Sequence, residues 1–365
     1  MAVPLDVCIR GAGVVGRTLA LLLARDRLRV GLVDTPDTGP SDVRAYAMNA
    51  ASRELLTSLR AWPDEAEATP VLRMEIEGDD DAVVRFDARE QGAEALAWMA
   101  GATALHERLG EALRFQPQVE LLSQPRKAAL TVVCEGKSSA TRAEFGVQYE
   151  VAHYPQQAIA ARLVCEKPHE QVARQWFCDG DILALLPLGG AGGNSAALVW
   201  SVRQDRVSEL MALAPADFEA RLHAAMHGAA GQLTLSSERV CWPLQLARAS
   251  RWCGPGWALA GDAAHTVHPL AGQGLNLGLA DAQALASTLH EREYWRGLGE
   301  EKLLRRYERA RKAQVATMQW ATDGIQQVFA QSAQPWSWLR SWGMRGFEHS
   351  GPLKQWAARQ AAGRM

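Results

Sequence analysis

The chain has 365 residues, more than one hydrophobic core usually organises, so two domains are expected. Hydrophobic residues make up 48% and charged residues 22%, with a formal net charge of -2 and no basic run, which is ordinary for a soluble globular protein and offers no nucleic-acid footprint. Cys8, Cys134, Cys165, Cys178, Cys241 and Cys253 form no C-x-x-C pair and read as reduced, mostly buried thiols in a cytosolic compartment.

An apolar strand, Val7-Cys8-Ile9, starts almost at once and leaves no room for a signal peptide before it. Residues 5–35 form a βαβ pattern: this strand, a glycine turn, an apolar helix from Thr18 to Arg25, and a strand from Arg29 to Val33. The longest apolar run, Leu19 to Ala24, is too short to span a bilayer. Residues 50–62 predict a short amphipathic helix with Leu55, Leu56 and Leu59 on one face. Residues 71–87 alternate around Gly78-Asp79-Asp80-Asp81, a hairpin signal, and the acidic run reads as the hairpin tip rather than a metal site. Residues 93–113 read as a helix and 129–134 as a short buried strand. Residues 147–203 are strand-like, clearest at Ile182–Leu186 and Ala197–Trp200, with a Gly-rich turn at 189–193 between them. Residues 215–230 look helical, and His223 and His227 then share a solvated helix face. A strand, Trp257–Ala260, runs into a turn and a long helix from about Gly274 to Leu289, and helical periodicity dominates 300–330. Trp62, Trp98, Trp176, Trp200 and Trp242 read as core or pocket-wall residues.

Two glycine-bearing turns carry the chemistry. The first is Gly11-Ala12-Gly13-Val14-Val15-Gly16, between strand and helix. Gly11 permits the tight turn, Gly13 lets backbone approach a pyrophosphate, and Gly16 lets helix and strand pack closely, with the helix N-terminus facing the phosphates. Asp34 ends the next strand, where a carboxylate accepts both ribose hydroxyls and argues against a 2′-phosphate. The second turn, Gly261-Asp262-Ala263-Ala264-His265, follows an apolar strand and leads into Pro269-Leu270-Ala271-Gly272-Gln273-Gly274-Leu275-Asn276. Its carboxylate suits a ribityl-type polyol, and Gly272 and Gly274 open a second helix N-terminus toward the same phosphates or an isoalloxazine edge. Two such cradles far apart in sequence point to one large dinucleotide. His265 and His268 stand in this turn as H-x-x-H without a third ligand, so no metal is expected.

These two turns and Asp34 together resemble the class A flavoprotein hydroxylases of the p-hydroxybenzoate hydroxylase type, and within them the ubiquinone-biosynthesis hydroxylases. Asp42–Met48 with Ser52, Tyr154–Ile159, Pro168-His169, Gly180–Leu188, Arg306–Lys312 and Thr322-Asp323-Gly324 extend the similarity over nearly the whole chain. The resemblance implies an α/β fold: a Rossmann-type FAD-binding domain with an inserted sheet-rich substrate domain and C-terminal helices. Residues 1–70, 93–142 and 243–325 fall to the FAD-binding domain, 71–92 and 143–242 to the substrate domain, and 326–365 to a helical tail. It implies FAD reduced by NAD(P)H, O2 as co-substrate, and attack of a C4a-hydroperoxyflavin on a phenolic, possibly polyprenylated, ring. Asp262 would then contact the ribityl and pyrophosphate, Arg44 the phosphates, and Gln273 and Gly274 the isoalloxazine. The expected cofactor-binding residues are Gly11, Gly13, Val14, Val15, Gly16, Asp34, Arg44, Gly261, Asp262, Pro269, Ala271, Gly272, Gln273, Gly274, Leu275 and Asn276. No catalytic base is identified.

The sequence departs from the family twice: Glu135-Gly136 stands where the family has an Asp-Gly motif thought to serve FAD and NAD(P)H, and residues 114–134 are short. These departures keep open a scaffold subunit of a membrane-associated assembly with ubiquinone-biosynthesis partners, or a flavin reductase that does not use O2. In the tail, Trp336, Trp338, Trp342 and Trp356 accompany five cationic side chains against Glu348 alone. That composition fits either a peripheral anchor on the inner face of the membrane or a helix packed on the flavin domain or a partner subunit.

Overall fold

The computed structural model describes residues 4–34, 42–78, 83–178, 180–267 and 273–329. Strand β1 (Leu5–Arg10) is buried at Val7, Cys8 and Ile9 in succession, so it is covered on both faces, as a strand inside a parallel sheet must be. After the glycine turn, α1 (Val14–Arg25) buries its Leu19–Ala24 run completely, and β2 (Val30–Val33) returns parallel to β1 with Val7 opposite Val30. The chain then leaves this sheet through β3 (Ala45–Met48), α2 (Ala50–Ser58) and β4 (Ala68–Val71). The helix is shorter than the predicted 50–62: Asn49 caps its start by accepting from the Ser52 N–H, and Arg60 turns the backbone left-handed just past its end.

The predicted hairpin is present as β5 (Arg73–Glu77) and β6 (Val83–Asp87), antiparallel, while its tip lies outside the described residues. The predicted helix over 93–113 is corrected. Ala97–Gly101 form a strand, β7, and only Ala102–Arg114 are helical, as α3. β7 lies between β3 and β4 in a three-stranded antiparallel sheet, so Trp98, Met99 and Ala100 are all buried. That pairing on both sides outweighs the helical pattern of the alanines. Strands β8 (Val119–Leu122) and β9 (Ala128–Val133) then join the first sheet, parallel to β2 and β1 respectively.

A short helix, α4 (Ala140–Glu144), leads into the sheet-rich middle. Its backbone is β10 (Tyr149–Cys165), with β11 (Val172–Cys178), β12 (Asp181–Leu188) and β13 (Ser195–Arg203). Helices α5 (Gln204–Ala212) and α6 (Pro215–Ala225) cover one face, and β14 (Leu233–Leu235) and β15 (Val240–Ala249) pair with β10. The predicted helix over 215–230 stops at Ala225. His227 takes a left-handed φ of 50°, so it does not share a helix face with His223. The chain re-enters the first sheet as β16 (Cys253–Gly254) and β17 (Trp257–Leu259), adds β18 (His265–Thr266) to the large sheet, and ends in α7 (Gln273–His290) and α8 (Glu301–Phe329).

The first sheet runs β16-β17-β9-β1-β2-β8, and the large sheet β18-β15-β10-β13-β12-β11-β5-β6 with β14 off the path. Two separate cores match this division. One packs α1, α3, α7 and α8 on the first sheet, and the other packs α5 and α6 on the large one around Phe218, Trp200 and Trp176. β1 lies between β2 and β9, the latter from more than 90 residues on, roughly the doubly wound arrangement that places ligands at the carboxyl ends of the strands. Both glycine turns follow strands of that first sheet.

Candidate functional site

The first turn is built by contacts that only hydrogen fits. Gly11 has φ +108°, and a Cβ there would lie 2.5 Å from the Cys134 carbonyl oxygen. A Cβ on Gly16 would meet the Gly11 carbonyl oxygen at 2.0 Å. Gly13 is different: nothing lies within 4 Å of where its Cβ would be. It is the N-cap of α1 and supplies no side-chain acceptor, so the first-turn N–H groups of α1 face an open surface. Val14 packs into the core, and Asp34 stands just past β2, half-buried, accepting from Arg17 Nη2 at 3.2 Å. Arg17 Nε also donates to the Ala12 carbonyl at 2.7 Å, which ties the turn to the acid.

The second turn meets the first at Val15. A Cβ on Gly261 would lie 3.3 Å from Val15 Cγ2, and one on Gly278 2.7 Å from the same atom and 3.4 Å from Gly261 Cα. The side chain of Val15 is thus lodged between two glycines more than 240 residues away in sequence. Gly261 itself is left-handed, with φ +63°. The half-buried Asp262 carboxyl is pushed above the ordinary aspartate range, chiefly by burial and further by Asp281, while Lys137, His265 and Arg44 pull the other way. Donors such as polyol hydroxyls would stabilise its ionised form. Gln273 is buried at the start of α7, Gly274 lies beside Val267, and Leu275 packs on the core. Asn276 spans to β3 and α2: its Nδ2 donates to the Ala47 carbonyl at 2.7 Å and its Oδ1 accepts from the Asn49 N–H at 3.0 Å. Pro269, Ala271, Gly272 and His268 lie outside the described residues.

Arg44 belongs to the same region. Its guanidinium grips Asp42, with Nε 2.8 Å from Oδ1 and Nη2 2.6 Å from Oδ2. Its carbonyl accepts from the Ala102 N–H at 3.0 Å and from Arg162 Nη2 at 2.8 Å. Burial raises the phenol of Tyr46 to about 12, an effect the nearby Arg44 opposes.

A buried cluster behind the second turn escaped the sequence reading. Asp281, fully buried on α7, accepts from the Gly261 N–H at 2.9 Å, His265 Nε2 at 2.6 Å and Arg311 Nε at 2.7 Å. Burial works to raise this carboxyl, but His265 and Arg311 outweigh it and hold it below the ordinary range. His265 also stacks on Trp252, with centroids 4.8 Å apart. Its signal in the sequence is an acid on an otherwise apolar stripe of Leu277, Ala282 and Leu285, which requires a buried partner. Among the described residues no group of three His, Cys, Asp or Glu side chains could hold a metal.

Glu135 is also committed. Its carboxylate accepts from Ser139 Oγ at 2.8 Å, the Thr141 N–H at 3.1 Å and Thr141 Oγ1 at 2.5 Å, and pairs with Arg10 at 3.2 Å. Burial opposes ionisation there, yet the bonds from Thr141 and Ser139 keep the group below the usual glutamate value.

The face of the large sheet toward these turns is recognisable from Arg162, whose side chain reaches Arg44. One row on that face, Arg162, Ala197 and Leu186, packs toward the small sheet. The next row is Ala160, Val199, Ala184 and Gln175, in register across β10, β13, β12 and β11. Val199, Ala184 and Gln175 are half-buried although their strands are central. Beyond it come Trp242, Ala158, Ser201 and Ile182. Uncharged, mostly small side chains thus floor this face of the large sheet.

Glycine turns converging on an uncapped helix N-terminus, with Asp34 and Asp262 at the strand ends, define a dinucleotide-binding type of fold. Residues 123–321 match the family model described as FAD binding domain. The 3-demethoxyubiquinol 3-hydroxylase of Escherichia coli (strain K12) is 31% identical over 99% of this chain and 99% of its own length. Ubiquinone hydroxylase UbiL of Rhodospirillum rubrum is 29% identical over 99% of this chain and 90% of its own. Two solved structures share the fold. PqsL of Pseudomonas aeruginosa in complex with 2-aminobenzoylacetate has a TM-score of 0.78 and 21% identity, covering 94% of this chain and 100% of that one. The p-nitrophenol 4-monooxygenase PnpA of Pseudomonas putida DLL-E4 has a TM-score of 0.76 and 17% identity, covering 99% and 97%. The chain belongs to the FAD-dependent hydroxylases of ubiquinone biosynthesis, and it is an aromatic hydroxylase.

Proposed function

We propose that the chain hydroxylates an uncharged phenolic or quinol ring bearing a polyprenyl chain, using NAD(P)H as electron donor and O2 as the source of the oxygen. The uncharged floor of the large sheet carries this reading. Its rows of Ala158, Ala160, Ala184, Val199 and Ser201 are small and uncharged and would offer no cation to a ring carboxylate. Arg162, the cation at their margin, is turned toward the Arg44 carbonyl.

The residues fit FAD. Gly13 and the first-turn N–H groups of α1 would take the diphosphate, Asp34 the adenosine ribose, and Asp262 the ribityl chain. Arg44 would lie by the phosphates, and Gln273, Gly274, Leu275 and Asn276 would border the isoalloxazine. When bound and reduced, the flavin activates O2 and supplies one oxygen atom to the ring. The chain's own share is to orient the ring over the sheet and to keep water from the reacting atoms. Gln175, half-buried in the floor, and Ser201 are the polar side chains there that would hold the ring oxygen.

The test is isotopic. Protein supplied with 18O-labelled O2, NAD(P)H and a short-chain polyprenyl phenol should return product carrying one label, and Asp262→Ala should not. Flavin-dependent NAD(P)H oxidation with unlabelled product would instead assign a reductase.

Among the described residues no helix is long and apolar enough to cross a membrane. Residues 331–365 lie outside them, and their Trp and Arg content supports attachment to a bilayer surface. Co-sedimentation of the full chain with anionic vesicles, lost on truncation after residue 330, tests that part.

A further inference from the structure

Helix α3 carries a histidine that the cofactor site above does not use. Ala102, His106 and Gly110 recur every fourth residue and form one stripe of the helix. The stripe begins where the Ala102 N–H donates to the Arg44 carbonyl. It ends at Gly110, where the absent side chain makes room for Arg17: a Cβ would lie 3.0 Å from its Nη1. His106, one turn from each, therefore stands between Arg17 and Arg44.

The charges facing its ring come from three directions: Arg17 on α1, Asp34 after β2, and Asp42 and Arg44 before β3. Each arginine is already spent on an aspartate, Arg17 on Asp34 and Arg44 on Asp42. Together the four are neutral. The half-buried imidazole has no hydrogen-bond partner among the described residues. Burial, then Arg17 and Arg44, hold the empty-site imidazole below its ordinary value, and the two aspartates only partly compensate. A dianionic diphosphate entering beside Gly13 would find one uncommitted group able to gain a proton.

We infer that His106 binds the diphosphate of FAD as an imidazolium, so that cofactor affinity tightens as pH falls. The inference rests on the cofactor placement proposed above. The sign follows from linkage: if the bound anion raises the ring's pKa, the complex takes up a proton, and the dissociation constant falls with pH until the ring is charged in the free protein too. A shift of one unit corresponds to about tenfold in affinity.

The experiment titrates flavin-stripped protein with FAD and with riboflavin, which lacks the phosphates, following flavin fluorescence from about pH 5.5 to about pH 8.5. The FAD dissociation constant should rise about tenfold over that range, while that of riboflavin stays level. His106→Asn should bind FAD about as wild type does at the alkaline end, with no slope, and His106→Gln should repeat this if the first variant folds poorly. A level FAD curve for wild type, or an unchanged slope in a folded variant, overturns the inference. An NMR titration of the ring C2 proton must show the imidazole pKa rising on FAD loading, and a fall would be equally fatal. Protein that binds riboflavin and FAD at no pH would remove the cofactor site itself and this inference with it, an outcome distinct from level binding.

Discussion

Gly13 and Gly16 differ in what a methyl group would meet, and the difference separates folding from binding. At Gly16 the methyl would be forced onto the Gly11 carbonyl, so Gly16→Ala should destabilise the apoprotein by about 1–3 kcal/mol as well as weaken FAD. At Gly13 the space is open, so Gly13→Ala should leave the apoprotein melting temperature unchanged while flavin affinity drops at least tenfold. Thermal melts and flavin titrations of both variants check this; equal losses of stability would contradict it. Asp262 gives a pH-dependent prediction. Its folded-state pKa is raised, so its charge costs stability once pH exceeds the value in the unfolded chain, about 3.9. Asp262→Asn should therefore melt higher than wild type as apoprotein at neutral pH, with the gap closing toward about pH 4, and should lose flavin. These residues were legible because a glycine turn after a strand and an acid at a strand end are local requirements. Glu135 was legible as a departure, but its role in capping α4 depends on Ser139, Thr141 and Arg10 and was not.

At the scale of elements, the Asp281 cluster joins α7, α8 and the strand-end turn. Asp281→Ala leaves the Arg311 guanidinium buried without its carboxylate and should cost about 3–5 kcal/mol by chemical denaturation. The double variant Asp281→Leu/Arg311→Leu should recover a large part of that, and no recovery would mean that the bonds from the Gly261 N–H and His265 dominate. The pair is 30 residues apart, and nothing local announces it. β7 was hidden for a related reason. Ala97–Gly101 reads equally well as the start of α3, and only pairing with β3 and β4 on either side decides for a strand. The long helices α7 and α8 were legible because their apolar period runs over several turns.

On the scale of the whole molecule, Arg162 is one of the side chains that join the large sheet to the segment before β3. Its bond to the Arg44 carbonyl fixes the segment before β3 against the large sheet. Arg162→Ala should weaken FAD binding several-fold, in line with about 1 kcal/mol for a hydrogen bond, with little change in the large sheet's own stability. The division into a dinucleotide fold and a sheet-rich insertion could be read from the order of strand and helix patterns. The floor could not, since Ala158, Ala160, Ala184 and Val199 acquire meaning only when register sets them side by side. The whole account depends on Val15 being held between Gly261 and Gly278, so that both turns grip one cofactor. The most direct measurement is the flavin content of the purified chain after reconstitution, from its visible absorbance and the released nucleotide. One FAD per chain is predicted; colourless protein that takes up no FAD would contradict it.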